Sequence, residues 1–274
     1  MNQKLVFLDI DGTLTSPGKN VPPESAMRAV RAAQSNGHRI FLCTGRNLDM
    51  LQPVLKLGFE GAVASTGGYV FAGKDVLFDC PMTQTELNTA MRLFEKNDVI
   101  RTIEACEGTW MDDKLDEFVA QAGEGGSELK RWRTALAEQM NIRPMREYGG
   151  QPVYKIVFMC RNEKQIEPAR QALGDRFRFL VHELTEYNCV DGELINRKFD
   201  KGRGVRIIAD HFGILLQDTI GFGDSMNDLE MLETTGCSVC MANGSAQLRE
   251  KSSLICPSVE EDGIEWAFRT LGLI

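Results

Sequence analysis

Lys4-Leu5-Val6-Phe7-Leu8-Asp9-Ile10-Asp11-Gly12-Thr13 is the stretch on which the reading of this chain turns. Leu5 to Leu8 form an unbroken apolar run, the pattern of a strand covered on both faces in a parallel sheet. Two carboxylates, one residue apart, follow at once and enter a glycine turn. Burying one unpaired carboxylate costs on the order of several kcal/mol. Two together at a buried strand end require a cation, a shared proton or water. This strand end is therefore a candidate metal or catalytic site, and its partners must come from elsewhere in the chain.

The surrounding sequence alternates strand and helix. Glu24–Asn36 has helical periodicity between Pro22-Pro23 and Gly37, and Arg39–Cys43 is a second apolar strand. Leu48–Leu57 reads as a helix in which Pro53 should make a kink or mark the first turn. Ala62–Ala64 begins a third strand, and Tyr69–Phe71 with Val76–Phe78 reads as a hairpin around Gly73-Lys74. This βαβαβ order implies a parallel sheet with right-handed crossovers.

The middle of the chain mixes elements differently, without acids at its strand ends. It offers an amphipathic helix at Thr83–Lys96, strands at Val99–Glu104, Val153–Met159, Phe177–His182 and Tyr187–Val190, a polar stretch through Gly123–Gly126, and a helix near Glu163–Leu173. After Asp191 the first style returns. Gly202–Phe212, Leu229–Thr234 and Ile264–Leu271 read as helices, and Asp218–Phe222, Cys237–Met241 and Leu254–Cys256 as strands. The expected fold is α/β: a Rossmann-like doubly wound parallel sheet built from residues 1–82 and 190–274, interrupted by an inserted α+β domain of residues 83–189. Segments near Pro81 and Asp191 are the expected hinges.

A length of 274 residues allows this two-domain layout. The net charge of −8, with no Lys/Arg cluster, argues against a nucleic-acid partner. No apolar run approaches the about twenty residues of a membrane span, and no signal peptide is evident. The expected location is the cytoplasm, with the eight cysteines as reduced thiols. Cys237 and Cys240 are the one closely spaced pair. With no second pair to complete a metal site, they read as structural.

Ligands of open parallel sheets bind at the carboxyl ends of the strands. That rule selects Asp9 and Asp11, then Thr44-Gly45-Arg46, then Gly223-Asp224-Ser225-Met226-Asn227-Asp228, with Lys201 opening the helix before the last strand. Carboxylates, a hydroxyl, an amide and two cations together suit phosphoryl transfer. Asp9 and Asp224, with the carbonyl of Asp11, offer the oxygen ligands Mg²⁺ prefers. A carboxylate can attack phosphorus to give an aspartyl-phosphate. Lys201 and Thr44 can stabilise the transferring group, and Asp11 can exchange the proton.

Each piece also has an ordinary explanation. Asp-x-Asp occurs in turns, Thr44-Gly45-Arg46 resembles a helix cap, and a lone lysine is usually solvated. An EF-hand loop fails at Leu14 and Asn20, where glycine and glutamate are required. Gly221-x-Gly223 lacks the third glycine of a dinucleotide site, and no NTPase P-loop run exists. It is the coincidence of these groups at one sheet edge that points to chemistry.

The motifs resemble those of the haloacid dehalogenase (HAD) superfamily, in its Cof-type branch with an α/β cap. Asp9-Ile10-Asp11-Gly12-Thr13-Leu14 is similar to the nucleophile motif, Thr44-Gly45-Arg46 to the second, Lys201-Gly202 to the third and Gly223-Asp224-Ser225-Met226-Asn227-Asp228 to the fourth. Met231-Leu232 and Glu261-Asp262-Gly263 also resemble the branch.

The resemblance implies Asp9 as nucleophile, Asp11 as general acid/base, and Thr44, Gly45, Lys201 and Asn227 around the phosphate. It counts Arg46 among the phosphate-binding residues too, on the substrate side of the cleft, and puts Asp224 in the Mg²⁺ site and Asp228 behind that site. Thr66-Gly67-Gly68 and Lys198-Phe199 depart from the branch, many of whose members carry Asn-Gly at the first place and often Gly-Val near the second. The implied activity is Mg²⁺-dependent hydrolysis of a small phosphorylated metabolite, a sugar phosphate by default, with flavin or pyridoxal phosphates as other candidates. A phosphomutase and a phosphorylatable signalling module are the alternatives. Trp110, Arg143 and Tyr187 are candidate specificity residues, each with ordinary packing or surface placement as its competing explanation. Oligomeric state is not legible.

Overall fold

Strand β1 (Leu5–Leu8) forms where the apolar run predicts it, and all four residues are buried. The structure, a computed structural model, describes residues 3–115, 118, 141–184 and 189–274. Its contacts divide the chain into two units. The first holds Met1–Arg46, Leu51–Asp79 and Phe199–Ile274, and the second Asn47–Met50 and Cys80–Lys198.

In the first unit, β1 pairs in parallel with β2 (Arg39–Cys43) on one side and with β12 (Thr219–Gly223) on the other. Beyond β2 lie β3 (Gly61–Ala64), β4 (Tyr69–Ala72) and β5 (Asp75–Asp79); beyond β12 lie β13 (Cys237–Met241) and β14 (Leu254–Cys256). The sheet order is β14-β13-β12-β1-β2-β3-β4-β5, antiparallel only at the β3–β4 and β4–β5 pairs. The expected Gly73-Lys74 hairpin supplies the last of these.

Alternation along the strands decides which helix covers which face. Leu5 and Phe7 join Phe41, Val63, Val205 and Ile208 in one buried cluster, so helix Lys201–Phe212 covers their face. Phe222, in register with Leu8, points to the opposite face and meets Phe268 of helix Gly263–Thr270 at 5.5 Å. Each such fully buried side chain stabilises the fold by ~1.5–3 kcal/mol.

The second unit is a six-stranded sheet with helices packed on it. Its strands are β6 (Ile100–Ala105), β7 (Gly108–Met111), β8 (Ile142–Pro144), β9 (Val153–Cys160), β10 (Phe177–Leu184) and β11 (Cys189–Asn196). Their order is β10-β11-β9-β6-β7-β8, antiparallel except for the β7–β8 pair. Helix Gln84–Lys96, opened by a Thr83–Glu86 capping box, and helix Glu167–Leu173 contribute Phe94 and Leu173 to a core with Ile103, Trp110, Ile156, Phe158 and Leu194.

Several elements differ from the sequence reading. Asp191 is no hinge: it lies within β11, opposite both Met159 and His182, and ladder pairing carries this unit's sheet on to Asn196. The helix expected at Glu163–Leu173 divides into a 3₁₀ turn, Glu163–Gln165, and an α-helix with Pro168 in its first turn. Pro53 lies inside helix Leu48–Leu55 rather than at its start. Gly123–Gly126 and Tyr187 lie outside the described residues. Among the described residues, no helix is long and apolar enough to cross a membrane.

Candidate active site

Asp9, Thr44 and Asp224 are each the first residue past a strand end, of β1, β2 and β12 respectively. Leu8 lies opposite both Leu42 and Phe222, so the register alone brings these three positions to one edge of the sheet. The strand order runs β1-β2-β3 to one side of β1 and β12-β13-β14 to the other. This is a topological switch point, where an open α/β sheet leaves a crevice for ligands.

Lys201 enters from the first turn of its helix. Asp200 caps that helix, its Oδ1 accepting from Arg203 N at 2.7 Å. The fully buried Nζ of Lys201 donates to Asp9 Oδ1 at 2.7 Å, to Asp228 Oδ1 at 2.5 Å and to Asn227 Oδ1 at 3.5 Å. The other oxygen of Asp228 accepts from the backbone N–H groups of Asp224 and Ser225, at 3.0 and 3.1 Å. One buried carboxylate thus holds the lysine and shapes the loop that carries Asp224.

Two glycines make close approaches that no side chain would allow. Gly12 has φ +86°, and a Cβ there would stand 2.3 Å from Asp224 Oδ2. The neighbouring Thr13 hydroxyl donates to Asp224 Oδ1 at 3.4 Å. Gly67, φ +98°, lets the turn after β3 rest on the backbone of Asp200, with a Cβ position 2.3 Å from its carbonyl oxygen. The departing Thr66-Gly67-Gly68 segment therefore buttresses the residue before Lys201.

Sequence reasoning missed a brace. Asn243 Nδ2 donates to Gly12 O at 2.8 Å, and Ser245 N to Asp224 O at 2.8 Å. The segment after β13 ties the loops of Asp9 and Asp224 together. Its only signal in the sequence was its place past a predicted strand end.

The electrostatics follow from burial. Desolvation, then the nearby Asp228 charge, pushes the Asp9 carboxyl above the usual carboxylate range. The same two causes push Asp224 up to about 6. Burial opposes the charged form of Lys201, but Asp228 and Asp9 outweigh it and keep the ammonium protonated.

Asp9, Asp224 and Asp228 each present an oxygen within 4.8 Å of the others. Three carboxylates face one ammonium, a deficit of two positive charges, which one divalent cation matches. The donors are all hard oxygens, so the residues present fit Mg²⁺.

Asp11 and Arg46 form a separate arrangement beside this network. Arg46 Nε donates to Asp11 Oδ2 at 2.8 Å and Nη2 to Asp11 Oδ1 at 2.6 Å. Asp11 Oδ1 also accepts from Gly18 N at 2.8 Å. Within the Thr44-Gly45-Arg46 turn, Thr44 Oγ1 accepts from Arg46 N at 3.1 Å.

The structure thus joins Asp9, Lys201, Asn227 and Asp228 by direct bonds, links Asp224 to them through its backbone, and turns Arg46 onto Asp11. The candidate specificity residue Trp110 is fully buried in the second unit's core, against Tyr148, with the Arg143 guanidinium 5.3 Å from its ring. None of the eight cysteines is in a disulfide; Cys237 and Cys240, three apart on β13, point to opposite faces of the sheet.

Comparison with known proteins agrees with this architecture. The sequence model of the haloacid dehalogenase-like hydrolases matches residues 6–268. YkrA of Bacillus subtilis, a candidate phosphatase, is 28% identical over 277 residues, covering 100% of both chains. The 5-amino-6-(5-phospho-D-ribitylamino)uracil phosphatase YwtE of the same organism is 24% identical over 278 residues, covering 96% of each. A solved structure of a hypothetical protein from Geobacillus kaustophilus superposes with a TM-score of 0.82 at 26% identity, covering 100% of both chains.

Proposed function

The chain belongs to the haloacid dehalogenase-like hydrolases, and from that membership we propose that it is a Mg²⁺-dependent phosphomonoesterase acting through phosphoryl-Asp9. One observation carries the reading: a buried ammonium, Lys201, locked between Asp9 and Asp228 at the switch point of the sheet. It holds one oxygen of the Asp9 carboxylate and brings a positive charge to where an anion must meet an anion.

In the first half-reaction an Asp9 oxygen bonds to phosphorus and the ester P–O bond breaks, with Asp11 protonating the departing alkoxide. In the second, water bonds to phosphorus, Asp11 takes its proton, and the P–O bond to Asp9 breaks to release inorganic phosphate. The Thr44 hydroxyl, the Gly45 backbone, Lys201 and the Asn227 amide hold the phosphoryl oxygens. A Mg²⁺ held by Asp9, Asp224 and the Asp11 carbonyl would supply further neutralisation of the phosphate. Asp228 stands behind that set, because both its oxygens already accept bonds from Lys201 and from the Asp224 loop.

The substrate we infer is a small polyhydroxylated phosphomonoester, a sugar phosphate or similar. The ribitylaminouracil phosphatase among the relatives, whose substrate carries phosphate on a ribityl chain, supports that class. The test is phosphate release across a panel of phosphorylated metabolites, with and without Mg²⁺, by the wild type and by Asp9→Asn. Free phosphate from the wild type alone is expected. Release by Asp9→Asn at the wild-type rate would remove the nucleophile assignment, and an isomeric phosphate ester in place of free phosphate would make the protein a mutase.

A further inference from the structure

Arg46 is almost wholly buried, and its guanidinium is occupied. Nε and Nη2 form a fork on Asp11, Nη2 also donates to Lys19 O at 3.0 Å, and Nη1 donates to Asn20 Oδ1 at 2.6 Å. A guanidinium carries five N–H donors, and these contacts take four of them inside the first unit. An arginine that grips phosphate needs its fork free for the phosphate oxygens. Asp11, in turn, is held by more than one element. Its Oδ1 accepts from Arg46 Nη2 and from Gly18 N, which fills both acceptor positions of that oxygen. Its Oδ2 accepts from Arg46 Nε, and among the described residues no second donor reaches it. The carboxylate is fixed in the guanidinium plane, with one acceptor position open, on Oδ2.

We propose that Arg46 is a positioning residue for Asp11, not a phosphate ligand, and that the fork, anchored by Lys19 and Asn20, holds Asp11 Oδ2 ready to take the proton of the water that hydrolyses phosphoryl-Asp9. The inference rests on the phosphatase reading above. In the step concerned, the water oxygen bonds to phosphorus and its proton passes to Asp11. The P–O bond to Asp9 breaks, its electron pair returning to the Asp9 carboxylate. A fixed acceptor-only carboxylate serves this step directly. The first half-reaction, on a substrate whose leaving group needs no proton, should not depend on it.

The probe is p-nitrophenyl phosphate, whose leaving group departs without protonation. Arg46→Met, Arg46→Lys and Asn20→Ala are compared with the wild type by steady-state and rapid-mixing kinetics, with thermal melting to confirm folding. For Arg46→Met the expected result is a kcat lower by about 10- to 100-fold, a KM lower in parallel and kcat/KM within about twofold of wild type. A burst of nitrophenolate near one equivalent per enzyme should accompany it, with phosphoprotein accumulating at Asp9. Arg46→Lys, which keeps the charge and loses the fork, should recover only part of kcat. Asn20→Ala, which loosens the guanidinium without touching Asp11, should show the same pattern more weakly, and it decides the matter if Arg46→Met does not fold.

A raised KM with unchanged kcat would make Arg46 a substrate-phosphate ligand and overturn the proposal. A fall in kcat/KM without a burst would overturn it by moving the role to the first half-reaction. Wild-type kinetics in both Arg46→Met and Asn20→Ala would overturn it by reducing the fork to a staple of the turn. A wild type that neither releases nitrophenolate nor becomes phosphorylated would overturn the proposed function itself, and this inference with it.

Discussion

Replacing Asp228 with alanine should cost this protein more stability than any exposed substitution. The Asp228 side chain is completely buried and makes three bonds, one to the equally buried Lys201 ammonium and two to backbone N–H groups of Asp224 and Ser225. Breaking a buried ion pair by removing one partner costs ~3–5 kcal/mol, because the remaining charge stays desolvated. Here Lys201 keeps Asp9 at 2.7 Å, which lowers the cost, while the two orphaned donors raise it by about 1–3 kcal/mol each if water cannot reach them. The two corrections oppose each other, so ~3–5 kcal/mol stands as the expected loss.

At about 2–4 °C per kcal/mol for a unit of this size, the melting temperature should fall by ~6–20 °C. Differential scanning calorimetry reads it directly. Asp228→Asn, which keeps one carbonyl oxygen and the shape but drops the charge, should fall between alanine and wild type. A shift under ~3 °C for Asp228→Ala, or an asparagine variant worse than the alanine one, would refute the account of Asp228 as the shared anchor of Lys201 and the Asp224 loop.

Other consequences can be checked on the same footing. Asp9→Asn should lower phosphatase kcat by ~10³-fold or more while the protein remains folded, read as phosphate release beside circular dichroism. Adding Mg²⁺ to about 100 times its dissociation constant should stabilise the wild type by ~2.7 kcal/mol in a thermal melt without substrate; Asp224→Ala should lose that increment, and an equal increment in the variant would exclude Asp224 as a ligand. Burial, with Lys4 nearby, lowers the His38 pKa, and its Nδ1 accepts from Lys4 N. Its neutral form therefore contributes stability that is complete above the unfolded value of about 6.5 and is lost as pH falls below it. His38→Gln should flatten that acid limb in urea titrations between pH 7 and 5, and an unchanged slope would assign the limb elsewhere. Trp110→Ala should cost the second unit ~3–5 kcal/mol, as a core deletion does; a loss under ~1 kcal/mol by urea titration would return Trp110 to the list of specificity candidates.

Much of the site was legible because strand ends announce themselves. Apolar runs that stop at Asp9, Thr44 and Asp224 mark one edge of a parallel sheet, whatever happens between them, since the pairing register fixes their mutual alignment. Lys201 was legible only as a member of the set, since it opens the helix that leads into the last of these strands; a lysine opening a helix carries no local sign that it will be buried. Arg46 shows the opposite limit. Its position beside Thr44 could be read from the motif, but the direction of its side chain depended on a turn twenty-six residues earlier, at Lys19 and Asn20. Asn243 escaped notice, and Gly67 was marked only as part of a departure from the family pattern, because their work is done by close approaches between loops distant in sequence.

The sequence by itself determined a doubly wound α/β unit, an interrupting α+β unit and a set of acids at strand ends. These follow from hydrophobic period and turn chemistry, which are local. Tertiary structure decided the partners. It paired Lys201 with both Asp9 and Asp228, turned Arg46 onto Asp11, buried Trp110 in a core and carried β11 to Asn196. Each of these depends on which distant backbone comes within about 3 Å, and hydrogen-bond and ion-pair energies fall away too steeply with distance and angle for local pattern to assign them.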